Sequence, residues 1–187
     1  MEPLLAIDPG SSTGVAYRLS DGGCAWCTWR LVDHPGGRLN DLVVRLERLH
    51  DRIGFVRVGY EQPYFDRRFP AAGQVLHQIE GQILAWAARR GLTCGAYTPA
   101  EIKRAVCAGD AGKRQMLARI RALGYPVTTD HEADALALLR LLQSGLAPQA
   151  AIRKAARRAA RRTRIADLFG PAPSRPGDHP SIRRGRP

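Results

Sequence analysis

The sequence lacks an apolar run long enough to cross a membrane, which takes about 20 consecutive residues. It also begins, as MEPLLAIDPG, without the basic start and long apolar core of an export signal. Hydrophobic residues nevertheless make up 44% of the 187 residues, which is enough for the core of one domain with an appendage. These features predict a soluble cytoplasmic protein with no membrane partner.

Cysteine is scarce, with four in the chain, and without an export signal we expect reduced thiols rather than a disulfide framework. Cys24 and Cys27 have the CxxC spacing of many zinc sites, but they lie in a stretch rich in β-forming residues. Residues i and i+3 of a strand point to opposite faces of a sheet, so these two thiols do not readily hold one ion. We interpret the cysteines as structural.

Acidic residues are also few, 17 against 29 basic ones, and the net charge of +12 is unevenly distributed. Residues 148–187 hold 11 basic and two acidic side chains, so they carry +9, which leaves +3 for the first 147 residues. We therefore predict a domain at 1–147 and a basic tail at 148–187 that binds a polyanion such as nucleic acid. The alternative is a tail that only keeps the protein in solution.

Hydrophobic periodicity predicts a mixed α/β fold. Three strands joined by tight turns come first, and two further strands each follow a helix, which indicates a five-stranded mixed sheet with helices on its faces. Residues 34–37 are expected to break the chain before the first helix. The predicted strands are 3–8, 13–19, 24–32, 55–60 and 93–97; the predicted helices are about 38–51, 71–90, 99–106, 113–123 and 130–143.

Carboxylates from three distant segments lie at element ends. Asp8 and Glu61 follow the first and fourth strands, and sheets of this class carry their sites at the carboxyl ends of strands. His131 and Asp134 share one face of the first turns of the last helix. Thr129 and Glu132 form its capping box, so we interpret Glu132 mainly as the capping partner of Thr129 and keep it only as a reserve metal ligand. The sequence therefore offers four residues for one site.

Converging carboxylates repel one another, and a divalent cation is the simplest remedy. Hard oxygen ligands suit Mg²⁺, with Mn²⁺ as a substitute. Two ions about 4 Å apart would activate a water and stabilise the leaving oxygen of a phosphodiester, which predicts a nuclease. Each residue also has a plain interpretation: Asp8 as a turn former, Glu61 as a surface acid, and His131 and Asp134 as ordinary residues near a helix start.

Four sequence blocks resemble, in order, those of the RuvC-type Holliday junction resolvases, which are crossover junction endodeoxyribonucleases of the RNase H-like superfamily. The blocks span about residues 4–142 and read LAIDPGSSTGVAY, GYEQPYF, TPAEIKRAV…GDAGKRQM and HEADALAL. The resemblance implies an RNase H-like fold and a homodimer that cuts four-way or branched DNA with two Mg²⁺ per active site, in recombination and repair. It also implies Asp8, Glu61, His131 and Asp134 as the catalytic and metal-binding set.

The same resemblance implies DNA contacts outside that set. Lys103 and Lys113 would contact phosphate or stabilise the transition state, and Tyr64 would stack on a base, with Phe65 sharing that role. The alternative for both aromatics is packing back onto the core. Three features depart from the family pattern: the loop before Lys113 is one residue shorter, the segment with Arg67 and Arg68 is more basic and shorter, and the tail has no counterpart. We expect Arg67 and Arg68 to contact DNA as well. They fit a divergent or phage-borne member.

The helix at 71–90 and the basic tail each suggest a further role. The helix predicted at 71–90 carries more apolar surface than one sheet face needs, so it either forms part of a dimer or is buried in the monomer. In the tail, Ala and Arg favour helix, and Arg153, Arg157 and Arg161 recur every four residues on a face suited to phosphates. We expect this tail helix to bind DNA without reading its sequence, and the residues after 170 to be disordered.

Other functions compete with junction resolution. A related nuclease would cut forks, other branched DNA or RNA with the same fold. The turn after Asp8 also resembles the phosphate-binding hairpin of actin-like ATPases and sugar kinases, but those need a second lobe for which the chain is too short. An inactive DNA-binding module does not fit an intact set of four ligands.

Overall fold

The computed structural model describes residues 1–63, 68 and 70–148. Five strands and five helices follow one another along these residues in this order: β1 (Leu4–Asp8), β2 (Ser12–Arg18), β3 (Cys24–Arg30), α1 (Pro35–Ile53), β4 (Arg57–Glu61), α2 (Pro70–Arg89), β5 (Thr93–Tyr97), α3 (Pro99–Arg104), α4 (Lys113–Ala122) and α5 (Asp130–Gln143). None of the described helices is both long and apolar enough to span a bilayer.

The strands form one mixed sheet in the order β3-β2-β1-β4-β5. β1 pairs antiparallel with β2, and β2 with β3, because tight turns join them; β4 and β5 run parallel to β1 because helices return the chain between them. The prediction of a five-stranded mixed sheet flanked by helices is confirmed. The predicted domain boundary at residue 147 lies at the end of the described residues. The tail beyond residue 148 lies outside them.

Two apolar clusters cover the two faces of the sheet. One lies under α3, α4 and α5, and we call this the α5 face; it is built from alternate strand residues such as Leu4 and Ala6. The other lies under α1 and α2, on the α1/α2 face, and contains Leu5 and Ile7. Burial on both sides explains why β1 reads as a continuous apolar run.

The cysteines follow this division. Cys24 packs against the cluster of the α5 face and Cys27 against that of the α1/α2 face, as the strand geometry predicts. All the cysteines are free thiols. The CxxC spacing is thus a product of strand alternation, and these two residues are not positioned to share an ion.

The predicted break at residues 34–37 is wrong, because α1 begins at Pro35. His34 is its N-cap: the imidazole Nδ1 accepts a hydrogen bond from the Gly37 backbone N–H at 3.0 Å. Proline suits the first helical turn, where its missing N–H has no intrahelical partner. The helix also runs on to Ile53 and ends at Gly54, whose φ of +70° gives the left-handed closure that glycine favours.

Other predicted boundaries shift by about two residues, and β3 ends at Arg30 rather than residue 32. β4 starts at Arg57 rather than residue 55 and includes Glu61 as its last residue. α3 ends at Arg104 rather than near residue 106. The capping boxes at Thr98 and Thr129 are both present, with their side chains accepting from the N3 backbone N–H. Local capping signals therefore fixed helix starts more closely than helix or strand ends.

α2 divides its apolar residues between core and surface. Ile79, Ile83 and Trp86 are buried against the sheet, so burial in the monomer accounts for these three. Leu84 is 43% exposed. The apolar excess predicted for a dimer contact is thus confined to a narrower stripe than the sequence suggested, and the dimer stays a prediction.

Candidate active site

Asp8 and Glu61 lie side by side at the carboxyl end of the two central strands. β1 and β4 are parallel neighbours, and Ile7 pairs with Tyr60, so the following residues on each strand come to the same edge. Ile7 and Tyr60 belong to the α1/α2 face, and strand alternation therefore turns Asp8 and Glu61 towards α5.

α5 brings the other two predicted residues to this edge. Its first turn is fixed by the capping box at Thr129, whose hydroxyl is also 2.8 Å from that of Thr28 on β3. His131 Nδ1 then lies 2.8 Å from Asp8 Oδ2. Asp134 lies one turn further along α5. It is close enough to Asp8 that the negative charge of Asp8 raises the pKa of Asp134.

Gly14 makes the close approach of α5 possible. It sits in the middle of β2 and pairs with Asp8. A Cβ atom at Gly14 would lie 2.1 Å from the backbone oxygen of His131 and 3.2 Å from Asp8 Cβ, so any side chain would push α5 away. The sequence reasoning missed this residue, although glycine inside a strand is a known sign of close backbone approach.

The carboxylates are buried enough to titrate abnormally. Burial, then the charges of Asp8 and Asp134, raises the pKa of Glu61 to about 8. Burial, then the charges of Asp8 and Asp130, raises the pKa of Asp134 to about 6. Burial also raises the pKa of Asp8, although the hydrogen bond and charge of His131 oppose the shift. Acids that destabilise one another's charge in this way are typical of sites that take up cations or protons.

Lys103 and Lys113 line a pocket of about 130 Å³ together with Glu61 and Asp134. Their positive charges partly offset the rise in the pKa of Glu61. Lys113 is 77% exposed, and its Nζ lies 2.6 Å from Asp130 Oδ2. The shorter loop before Lys113 therefore does not remove this residue from the pocket.

Asp130 is a second residue that the sequence reasoning missed. It holds Lys113, and its charge raises the pKa of Asp8 and Asp134. An acid in the first turn of a helix is so common that it gave no separate signal. Glu132, the reserve ligand, accepts hydrogen bonds from the backbone N–H groups of Thr128 and Thr129, so its carboxylate belongs to the cap.

The donor types at this edge fit a hard divalent cation, because three carboxylates and an imidazole face one another with incomplete charge compensation. Within residues 1–63, 68 and 70–148, however, no three His, Cys, Asp or Glu side chains are close enough to enclose an ion. The imidazole of His131 is instead bonded to Asp8. The four residues are brought to one edge, and their role as ligands stays a prediction.

The predicted DNA contacts are only partly described. Arg68 lies at the surface. Tyr64, Phe65 and Arg67 lie outside the described residues, as do the tail arginines Arg153, Arg157 and Arg161. The stacking role of the aromatics and the phosphate role of the tail therefore remain predictions.

Comparison with known proteins gives one consistent result. The family model described as "Crossover junction endodeoxyribonuclease RuvC" matches residues 4–140. The crossover junction endodeoxyribonuclease RuvC of Anaeromyxobacter sp. (strain K) is 37% identical over 143 residues, which cover 72% of this chain and 77% of the relative. All four sequence blocks fall largely within the matched range, and so do Asp8, Glu61 and Asp134.

Solved structures agree on the fold. Thermus thermophilus RuvC aligns with a TM-score of 0.63 at 22% identity, covering 78% of this chain and 98% of that one. The T. thermophilus RuvC solved in complex with a Holliday junction substrate aligns with a TM-score of 0.59 at 22% identity, covering 75% and 92%. The predicted RNase H-like fold is therefore confirmed, and the chain belongs to the RuvC family of crossover junction endodeoxyribonucleases.

Proposed function

We propose that this protein is an endodeoxyribonuclease that resolves Holliday junctions by hydrolysing a phosphodiester in each of two opposed strands. One observation carries the proposal: β1, β4 and α5 bring Asp8, Glu61, His131 and Asp134 to a single edge of the sheet. Family membership supports the reaction class. It also leaves no support for the alternative of an actin-like ATPase or kinase.

The side chains suggest how the reaction proceeds. The oxygen of a water forms a bond to phosphorus, one P–O ester bond breaks, and the departing oxygen takes up a proton. Asp8 orients the His131 ring through Nδ1, which leaves Nε2 to accept the proton that the water loses. Lys103 and Lys113 line the same pocket as Glu61 and Asp134 and would stabilise the added negative charge on the phosphate.

Mg²⁺, or Mn²⁺ in its place, would be held by Asp8, Glu61 and Asp134, with His131 as a further ligand or the proton acceptor. When bound, the predicted pair of cations would lower the pKa of the attacking water and stabilise the leaving oxygen. The raised pKa values of Glu61 and Asp134 support this, since a nearby cation would relieve the repulsion between them. We expect EDTA to abolish cleavage and added Mg²⁺ or Mn²⁺ to restore it.

The substrate class can be tested directly. Labelled four-way junctions, forks, linear duplexes and RNA–DNA hybrids would be incubated with the protein and Mg²⁺, and the cut positions mapped on each strand. We expect paired nicks at symmetric positions in the junction and little cutting of the others. Comparable cutting of forks or hybrids would favour the alternative of a branched-DNA or RNA nuclease, and cutting of nothing would contradict the proposal.

Symmetric cutting calls for two active sites related by a twofold axis, so we also propose a homodimer. Sedimentation analysis of the free protein would test this state, and a monomer that stays monomeric on the junction would contradict it. We propose that the protein acts in the cytoplasm of a bacterium, or of a bacterium infected by a phage, because the DNA lies there.

The basic tail is proposed as a DNA-binding arm. Truncation after residue 148 removes a net charge of +9. We expect weaker binding to every DNA tested and a flatter dependence of affinity on salt, because fewer counterions are released. Affinity that is unchanged at every salt concentration would show that the tail only keeps the protein in solution.

A further inference from the structure

A groove of about 270 Å³ lies on the α1/α2 face, between α1 and the strands β2 and β3. Tyr17 and Trp29 line it from the sheet, and Arg45, Arg48 and Arg52 line it from α1. None of these side chains belongs to the site around Asp8, which lies on the other face of the sheet. The groove therefore needs an explanation of its own.

Charge is segregated around α1. Its acids Glu47 and Asp51 both accept hydrogen bonds from Arg90, at 2.6 and 3.1 Å, just past the end of α2. Its arginines 45, 48 and 52 line the groove instead. The helix thus presents two of its three acids where a cation from the α2 side compensates them. Three arginines lie along the edge of the sheet where β3 is the last strand, together with the third acid, Asp41, which is bonded to Arg45.

The three arginines are held differently. Arg45 is bonded to Asp41 at 2.7 Å, and its guanidinium lies 6.0 Å from the centre of the Trp29 ring. Arg48 and Arg52 are exposed and form no salt bridge within the part of the chain that the structure describes. Two exposed guanidinium groups without a direct salt bridge therefore lie beside a third that is fixed in place, although Arg48 is near enough to Asp41 for its charge to help lower the pKa of that acid.

The spacing of these charges suits a polymer of phosphates. An α-helix rises about 1.5 Å per residue, so the three arginines extend over roughly 10 Å. One strand of DNA advances about 3.4 Å per nucleotide, so the stripe matches about three nucleotides. Arginine on a rigid helix is well suited to phosphate, because its planar fork donates two parallel hydrogen bonds.

The groove also begins close to the edge that carries the active site. Arg45 Nη2 contacts the backbone oxygen of Arg30, the last residue of β3, at 3.4 Å. Arg30 pairs with Ser12, two residues from Gly14, which itself pairs with Asp8. With strands about 4.8 Å apart and about 3.4 Å per residue, Arg30 lies roughly 12 Å from Asp8. A double helix that reaches the active site is wide enough to cover this distance.

We propose that this groove, which we call the α1 groove, binds the phosphate backbone of a DNA arm that lies outside the active site. The inference rests on the proposed function, which supplies the DNA, and adds a second contact surface to it. A second copy of the chain fits less well, because two such arginine stripes would face each other across a twofold axis. The contact reads no sequence, since its ligands are phosphates.

The test uses the full chain with both Arg48→Ala and Arg52→Ala, and Arg89→Ala as control, because Arg89 is exposed on α2 outside the groove. The dissociation constant for a labelled four-way junction would be measured in EDTA at several salt concentrations. We expect affinity to fall about tenfold at low salt and the salt slope to fall by about 2, one for each phosphate that is no longer neutralised. Arg89→Ala should leave both unchanged, and Arg48→Lys with Arg52→Lys should retain most of the slope.

Single-turnover cleavage with Mg²⁺ at saturating protein should match the wild type, because the arginines lie outside the chemistry. An unchanged salt slope would overturn the inference. So would a change in sedimentation of the free variant, which would assign the groove to a protein interface. If the wild type cuts no junction but the double variant still shows the flatter slope, the proposed function fails while the groove stands.

Discussion

The two faces of the sheet handle charge in opposite ways. On the α5 face, three acids converge at the carboxyl ends of β1 and β4, and burial raises the pKa of each. On the α1/α2 face, the acids Glu47 and Asp51 lie on the side of α1 near the end of α2 and pair with Arg90. The unpaired acids of the α5 face cost stability in exchange for a site that can act chemically, whereas the paired charges of the α1/α2 face stabilise the fold. The α1 groove lies at the margin of the α1/α2 face.

The comparison is sharpest for acid-to-amide substitutions. Asp8→Asn should lower the cleavage rate by about a thousandfold or more, because it removes a proposed metal ligand and the partner that orients His131. Asp51→Asn, on the other face, should leave the rate unchanged. Binding of a four-way junction in EDTA should survive in both variants, and loss of binding together with cleavage would make Asp8 a structural residue.

The second difference between the two faces is in how the free energy of unfolding depends on pH. The pKa of Glu61 is raised from 4.5 to about 8, so the folded state retains a proton that the unfolded state has lost. In EDTA the free energy of unfolding should therefore be greatest below about pH 4.5 and fall by about 5 kcal/mol as pH rises through 8. Asp134, with a pKa of about 6, adds to the same trend.

Glu61→Gln should remove most of this fall, as measured by urea unfolding at pH 5, 7 and 9. Glu47→Gln is the matched control: burial alone would raise the pKa of Glu47, but the surrounding hydrogen bonds and positive charges, chiefly those of Arg90, together outweigh burial and lower that pKa, so its contribution is complete above pH 5. Its pH profile should parallel the wild type. A wild-type stability that is flat between pH 5 and 9 would contradict the raised pKa of Glu61.

The smallest expected effect concerns two glycines. Gly14→Ala should lower the free energy of unfolding by about 2 kcal/mol and slow cleavage, because its Cβ would collide with the backbone of His131. Gly81→Ala in α2 should instead stabilise by about 0.5–1 kcal/mol, since nothing lies within 4 Å of the added atom. Equal changes in the two variants would mean that α5 does not approach β2 as closely as described.

What the sequence could predict depended on the range of the interactions involved. The helix starts at Thr98 and Thr129 were predictable because a capping box needs only four consecutive residues. The start of α1 was missed because a proline and two glycines resemble a break, while the decisive contact is the imidazole of His34 on the Gly37 backbone. Short-range signals mislead when an uncommon side chain provides the cap.

The candidate site was predicted residue by residue, but not the contacts that position it. Element ends identified Asp8 and Glu61, and helical spacing identified His131 and Asp134. The clearance at Gly14 and the ion pair between Asp130 and Lys113 depend on how α5 packs against β2 and α4. No local pattern encodes such packing. Gly14 and His131 are more than 100 positions apart and meet only in the finished fold, and Lys113 and Asp130, 17 positions apart, meet only when α4 and α5 have packed together.

The candidate site needs β1, β4 and α5 together. This affects when, during synthesis of the chain, the site can form. Asp8 is among the first residues to leave a ribosome, whereas His131 and Asp134 follow only after about two thirds of the chain has been synthesised. A nascent or truncated chain that lacks α5 has the first acid without its partners. With the proposed catalytic set, we therefore expect the capacity to cut DNA to appear in one step, late, and only in molecules whose sheet is already complete.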